Sequence, residues 1–304
     1  MTPGPIDPHV LMRIRNLEFR ARVVVEGFWS GIHRSPYHGF SVEFTEYRQY
    51  SPGDDPRYLD WRVFARSDRY YLKRFEDETN LRCHLIADQS RSMTFGSAGY
   101  SKAEYAATLA ATFAYFLHLQ GDAVGLLAFD EQVRAYLPAR HRLAHLRRLI
   151  LALEEPARGR GTDLVTPLLR VVEMVRRRGL ILLISDFLAP LEQLERALLQ
   201  LGACGHDVVL FHVLDPAELA FSFDEPAMFE DIESGRTLLV DPGAVRGEYT
   251  KRLEAHCATL REMCHRLGHD YLQLPTSQPI EFALFDFLHA RDRPARRIRR
   301  SARL

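Results

Sequence analysis

The segment ADQSRSM, residues 87 to 93, places one carboxylate and two hydroxyls at Asp88, Ser90 and Ser92, at the end of the apolar run CHLIA (83 to 87). Two other places offer oxygens in comparable positions: Thr162 and Asp163 in GRGTDL (159 to 164), and Ser185 with Asp186 in LLISDF (182 to 187). Hard divalent cations such as Mg²⁺ take near-octahedral oxygen ligands and commonly keep several waters. Asp88, Ser90, Ser92, Thr162 and Asp186 would give such an ion two carboxylates and three neutral hydroxyls, and leave a position open for a ligand from outside. Taken singly, each of these residues also reads as a helix N-cap, because Ser, Thr and Asp oxygens accept orphan amide hydrogens. It is the set that points to a cation.

Those loops can serve one site only if the intervening chain brings them to one rim. From residue 82 on, apolar runs alternate with stretches of helical period, the pattern of an α/β fold: a doubly wound, mostly parallel sheet with helices on both faces. The runs are CHLIA, VGLLAF (124 to 129), LILLI (180 to 184), VVLFHV (208 to 213) and YLQL (271 to 274). VRAYL (133 to 137) follows VGLLAF after only DEQ, too short for a parallel crossover, so these two are expected as an antiparallel hairpin at one edge. Helical faces are expected at Ala106, Leu109, Ala110, Phe113 and Leu117, at Leu143, Leu146, Leu149 and Leu153, and at Leu191, Leu194, Leu198 and Leu201. A long helix runs through Tyr249, Leu253, Cys257, Leu260, Cys264 and Leu267, and a last one lies around 282 to 288. In open parallel sheets ligands collect at the carboxyl ends of strands where strand order reverses. Asp88 and Asp186 are expected there, on solvent-facing loops.

Around this domain, 81 to 290, the chain divides into an N-terminal extension (1 to 28), a β-rich lead-in module (29 to 80), a hairpin insertion at 218 to 242, and an Arg-rich tail (291 to 304). The lead-in carries turn-formers at Ser35-Pro36 and Ser51-Pro52-Gly53, and the tail holds seven arginines against the single acid Asp292. Forty basic and forty acidic residues cancel, so no nucleic-acid coat and no specific nucleic acid is expected; only Lys73, Lys102 and Lys251 are lysines. Four cysteines without a CxxC pair sit in apolar segments, where a thiol behaves as a small hydrophobe, which suits a reducing, cytoplasmic setting. No run of eighteen apolar residues appears.

Other chemistries have less to stand on. Cys257 and Cys264 share the helix face that should be buried, without the ligand-pair spacing of a zinc site. His206, His212 and His269 form no triad pattern. A Mg²⁺-dependent phosphatase or hydrolase could use Asp88 as nucleophile, but the chain has no Gly-rich phosphate loop, no G-x-S-x-G and no HExxH, and Lys102 is the only lysine near the loop.

D-x-S-x-S after the first strand, Thr in G-T-D before a helix and Asp after a later strand resemble the metal-ion-dependent adhesion site of von Willebrand factor A domains, in all five positions. That resemblance implies Asp88, Ser90, Ser92, Thr162 and Asp186 as the metal set and a von Willebrand A-like fold. YRQYSPGDDPRYLDWRVFAR (47 to 66), followed by ADQSRSM, resembles the bacterial family called domain of unknown function 58, with Leu59 where Ile is usual; FEDIESGRTLLVDP (229 to 242) fits it too. The resemblance implies a non-enzymatic adaptor that captures a Glu or Asp of a protein partner through Mg²⁺ and works with a MoxR-type AAA+ ATPase in protein assembly or maturation. A second reading leaves the metal site vestigial and gives the interaction to the 39 to 78 module. The tail would add a peripheral contact with anionic lipid at the inner face of the membrane, or with an acidic partner.

Overall fold

The computed structural model describes residues 5–32, 47–49, 71–73, 81–156, 164–230 and 235–291. The chain forms two compact units, one of Met1–Gly31 with Leu81–Leu304 and the other of Ile32–Asn80. Of the second, β1 (Tyr47–Gln49) and β2 (Tyr71–Lys73) are described, and they pair antiparallel. The rest of the expected lead-in module and the Arg-rich tail beyond residue 291 lie outside the described residues.

The main sheet contains β3 (Arg82–Asp88), β4 (Ala123–Phe129), β5 (Val133–Arg140), β6 (Leu180–Ser185), β7 (Asp207–Leu214) and β10 (Asp270–Pro275), in the order β10-β7-β6-β3-β4-β5. All neighbours are parallel except β4 and β5. This is the doubly wound, mostly parallel sheet with one antiparallel edge expected from the alternation of apolar and helical segments. β6, LILLIS, is buried at every position because helices cover both its faces.

One face carries α5 (Val165–Met174), α6 (Leu191–Ala203) and α8 (Pro242–Leu267), whose Leu168, Val171, Leu194, Leu198, Leu260 and Cys264 join Ile86, Leu183 and Leu210 in a common core. On the other lies α3 (Lys102–Leu119), where Phe113 packs on Phe211 of β7 with ring centroids 5.1 Å apart. Phe287 of α9 (Ile280–Arg291) meets Phe113 edge-on at 5.1 Å. α4 (Leu143–Leu153) covers β4, and the ring of its His145 bonds the Val124 carbonyl at 3.0 Å.

The N-terminal segment Met1–Gly31 belongs to the same compact unit as Leu81–Leu304. After the single turn of α1 (Pro8–Leu11), α2 (Leu17–Ile32) runs as a full helix started by Asn16, whose Oδ1 accepts from the Phe19 amide at 2.7 Å. Leu17, Ala21, Val24, Val25 and Phe28 recur at helical spacing and are buried, and Phe28 packs on Phe116 of α3. The thiols divide: Cys83, Cys257 and Cys264 are buried as expected, whereas Cys204, where α6 ends, is exposed.

After β7 come α7 (Pro216–Ala220) and a two-stranded ribbon of β8 (Ala227–Glu230) and β9 (Thr237–Val240). Phe221, Phe223 and Phe229 cluster beneath the ribbon with Tyr249 of α8.

Candidate functional site: a cation-binding rim

The connection from β3 leads to β4 on one side, while β6, the next strand after the edge hairpin, lies on the other side of β3. The strand order therefore reverses between β3 and β6, and the carboxyl ends of these two strands form the crevice that such a switch creates. Ala87 and Ile184 are the last registered pair, so Asp88 and Ser185 stand one step beyond, side by side.

Asp88 is locked from both sides. Its Oδ1 accepts the Ser90 amide at 2.8 Å, a local turn that Asp side chains favour, and its Oδ2 accepts the Ser185 hydroxyl at 2.5 Å. The Ser185 hydroxyl in turn accepts the Phe187 amide at 3.0 Å. Ser90 precedes a 3₁₀ turn over Arg91–Thr94, yet its side chain makes no capping bond. The Ser90 and Ser92 hydroxyls instead lie 3.1 Å from each other, and Asp88, Ser90 and Ser92 are all buried. The capping role that these residue types usually play is thus not the role of Ser90 here.

Asp186, completely buried, faces a positive charge. Its Oδ2 is 2.9 Å from the Lys102 ammonium, which is itself fully buried and donates to Glu218 Oε1 at 2.6 Å. Lys102 is held there by a capping box: Ser101 Oγ accepts the Glu104 amide at 3.2 Å, and Glu104 accepts the Ser101 amide at 2.8 Å. This fixes Lys102 at the first position of α3, while its amide closes the preceding loop onto the Phe95 carbonyl at 2.8 Å. Gly96 is required in that loop, since a Cβ there would stand 2.0 Å from the Tyr100 carbonyl oxygen.

A second capping box delivers Glu218. Asp215, at the end of β7, accepts the Ala217 amide at 2.8 Å, and Glu218 Oε2 accepts the Asp215 amide at 2.9 Å. Asp215 also takes the Ser97 amide at 2.9 Å and the Ser97 hydroxyl at 2.5 Å, joining the first rim loop to the last.

Burial raises the Asp88 carboxyl to about 7, with the Asp186 charge adding to the effect and hydrogen bonds from Ser185 and Ser90 opposing it. Burial pulls Lys102 down, but Asp186 and Glu218 outweigh it and the net shift is upward, so the ammonium stays charged. Glu218 is raised, chiefly by burial against the pull of Lys102. Two phenylalanines flank this chemistry in the left-handed region, Phe187 after Asp186 with φ 50° and Phe221 after α7 with φ 45°. Bulky side chains there cost about 1–3 kcal/mol each and persist where the surroundings over-determine them.

Of the five expected ligands, Asp88, Ser90 and Ser92 are adjacent through the contacts above, and Asp186 is close enough to Asp88 for its charge to act on that carboxyl. Thr162 lies outside the described residues. An octahedron with metal–oxygen lengths of 2.0–2.1 Å has edges of about 3 Å. The 3.1 Å between the two serine hydroxyls matches such an edge, beside a buried carboxylate that carries an energetic burden when charged. The oxygen set therefore fits a hard divalent cation, although no cluster of three His, Cys, Asp or Glu side chains suited to a metal occurs among the described residues. The expected solvent-facing placement is wrong: Asp88 is 2% exposed and Asp186 0%. Asp88 is bonded by the Ser90 amide and the Ser185 hydroxyl, and Asp186 by the Lys102 ammonium and the Leu188 amide. Sequence reasoning passed over Ser185 as a ligand partner and missed Glu218, though D-P-A-E at 215 to 218 directly after a strand is a legible capping signal.

A sequence model described as "Protein of unknown function DUF58" matches residues 46–259. Uncharacterized proteins of Mycobacterium bovis and Mycobacterium tuberculosis are each 30% identical over 302 residues, covering 97% of this chain and 94% of theirs. Among solved structures, the conserved hypothetical protein BatB from Bacteroides thetaiotaomicron aligns with a TM-score of 0.46 at 15% identity, over 69% of this chain and 98% of that one. The SpRpn10 VWA domain aligns with a TM-score of 0.39 at 10% identity, over 67% and 93%.

Proposed function

Because this chain belongs to the DUF58 family, and because its sheet carries a cation-compatible oxygen set at the switch point, we propose that it is a non-enzymatic protein-binding adaptor. Asp88, Ser90 and Ser92 would hold a Mg²⁺, with Asp186 and Thr162 completing the set. When bound, the ion supplies a Lewis-acidic position that a Glu or Asp oxygen of a partner fills. The chain's own residues do the rest. Ser185 and the Ser90 amide orient the Asp88 carboxylate. Gln89, next to Asp88, lines a cleft of about 250 Å³ with Asp130, Arg134 and Glu155, a foothold for the chain that flanks the captured carboxylate. The observation that carries this reading is a pair of buried hydroxyls, Ser90 and Ser92, 3.1 Å apart beside a buried carboxyl, with Ser90 making no side-chain capping bond. Its family resemblance supplies the expected partner, a MoxR-type AAA+ ATPase, and the process, protein assembly or maturation.

The test is capture of that ATPase or its client by the purified chain in Mg²⁺ and in EDTA, using wild type, Asp88→Asn and the Ser90→Ala/Ser92→Ala double variant. Binding should be lost on chelation and in both variants. Because Asp88 is buried, thermal melting in EDTA is measured alongside to separate lost capture from lost fold. Retention of the same partners by the double variant, with unchanged metal dependence, would refute capture.

One observation favours the second reading, in which the rim is vestigial and residues 39 to 78 carry the interaction: Asp186 already holds an ammonium. That reading expects Arg57→Ala or Asp60→Ala to abolish partner binding and the double serine variant to leave it intact.

A further inference from the structure

The ammonium that would argue for a vestigial rim has a more specific role available to it. We propose that Lys102 is a resident, tethered cation that sets how tightly the rim takes a divalent ion, by sharing its charge between Asp186 and Glu218. The inference rests on the metal-binding reading above and goes beyond it in naming what regulates affinity.

Four observations carry it. Lys102 is one of three lysines among forty basic residues, so a lysine at the rim stands out in a chain that otherwise uses arginine. The side chain is wholly buried and is not available to a partner; its charge can act only on the rim. Its two acceptors come from different strand ends, Asp186 after β6 and Glu218 after β7, and all three groups are pinned from outside the cluster, Glu218 by the Asp215 amide, Asp186 by the Leu188 amide at 3.4 Å and Lys102 by the Ser101–Glu104 cap. The arrangement is therefore built and not an incidental surface pair. Finally, three carboxyl groups, Asp88, Asp186 and Glu218, gather at the rim around a single ammonium, two of them in direct contact with it.

In this arrangement two positive charges compete for Asp186. A compact ammonium is a point charge without a fixed fork, so it can lean toward Glu218 and release part of Asp186 to an incoming ion. Glu218 is the alternative seat that makes such sharing feasible. With Lys102 neutral, the ion would face the same carboxylates without a competing positive charge. With Glu218 neutral, the whole ammonium charge would fall on Asp186 and the negative potential would drop.

The two substitutions therefore move affinity in opposite directions, which damage to the fold cannot do. The full chain is titrated with Mn²⁺ and with Mg²⁺ by calorimetry as wild type, Lys102→Met and Glu218→Gln, each checked by circular dichroism in EDTA. Lys102→Met should bind at least about tenfold tighter, given the strength of charge interactions over a few ångströms at a partly shielded site, and Glu218→Gln weaker by a similar factor. A wild type that binds undetectably beside a Lys102→Met variant that binds would also support the proposal. Equal or weaker binding by folded Lys102→Met overturns it while leaving the rim as a metal site. If Lys102→Met does not fold, Glu218→Gln decides alone, and unchanged or tighter binding there overturns it. Absence of binding in all three chains overturns this inference together with the metal-binding reading.

Discussion

The two ends of the sheet solve the burial of polar side chains in opposite ways. At the carboxyl end, Asp186 and Glu218 hold the Lys102 ammonium between them, and the Asp88 carboxyl beside them is bonded by the Ser185 hydroxyl and the Ser90 amide. At the amino end, burial first, then the neighbouring His206 and Arg82, pushes the His84 imidazole of β3 down to about 4, so that it sits neutral at physiological pH. β3 spans both environments within seven residues. An interior built only for stability discards charge, since a buried ion pair is seldom worth more than a well-packed apolar group. The amino end also buries a carboxylate, Asp122, but it accepts the Leu81 amide at 3.2 Å. Only the carboxyl end gathers several ionisable side chains around one ammonium, and that concentration marks it as the working end.

This contrast can be broken at both ends. The largest effect is expected from Asp186→Ala, which leaves a buried ammonium with Glu218 alone and should cost about 3 kcal/mol in urea unfolding. A loss below about 1 kcal/mol would mean that the rim charges do not depend on one another. The next effect belongs to the amino end and is read in pH. His84 titrates near 6.5 when unfolded and about 4 when folded, so it favours folding above 6.5, and that contribution is lost as pH falls through the window to 4. Denaturation at pH 7 and pH 4.5 should differ by about 2 kcal/mol from this group, and His84→Gln should remove that share of the slope. If the slope is unchanged in the variant, the amino end does not keep the neutral imidazole described here. The smallest is Ser97→Ala, which removes the hydroxyl bond to Asp215 and should cost about 1 kcal/mol. A value near zero would show that the first and last rim loops are held together without it.

Much of this architecture was legible because strands covered on both faces read as continuous apolar runs, as in LILLIS, and because the three residues DEQ permit only a hairpin between β4 and β5. α2 was not among the expected helices, although Leu17, Ala21, Val24, Val25 and Phe28 carry a helical period. At the rim, Asp88, Ser90 and Ser92 were legible because their geometry is local, two residues apart along one turn. The pairing of Lys102 with Asp186 and Glu218 was not, because those acceptors lie 84 and 116 residues downstream and no spacing rule connects them. The burial of Asp88 and Asp186 was misjudged for the same reason: a loop position implies water only until another side chain takes its place.

The pairing of Ala87 with Ile184 has a consequence for how this chain can change over evolutionary time. Side chains alternate faces along a strand, so removing one residue from β6 would turn Ser185 to the opposite side and carry Asp186 away from Lys102. The tract of leucines and isoleucines thus works as a gauge block whose length is fixed by what lies at its tip. Apolar exchanges that conserve volume should be tolerated within it, and insertions or deletions should not.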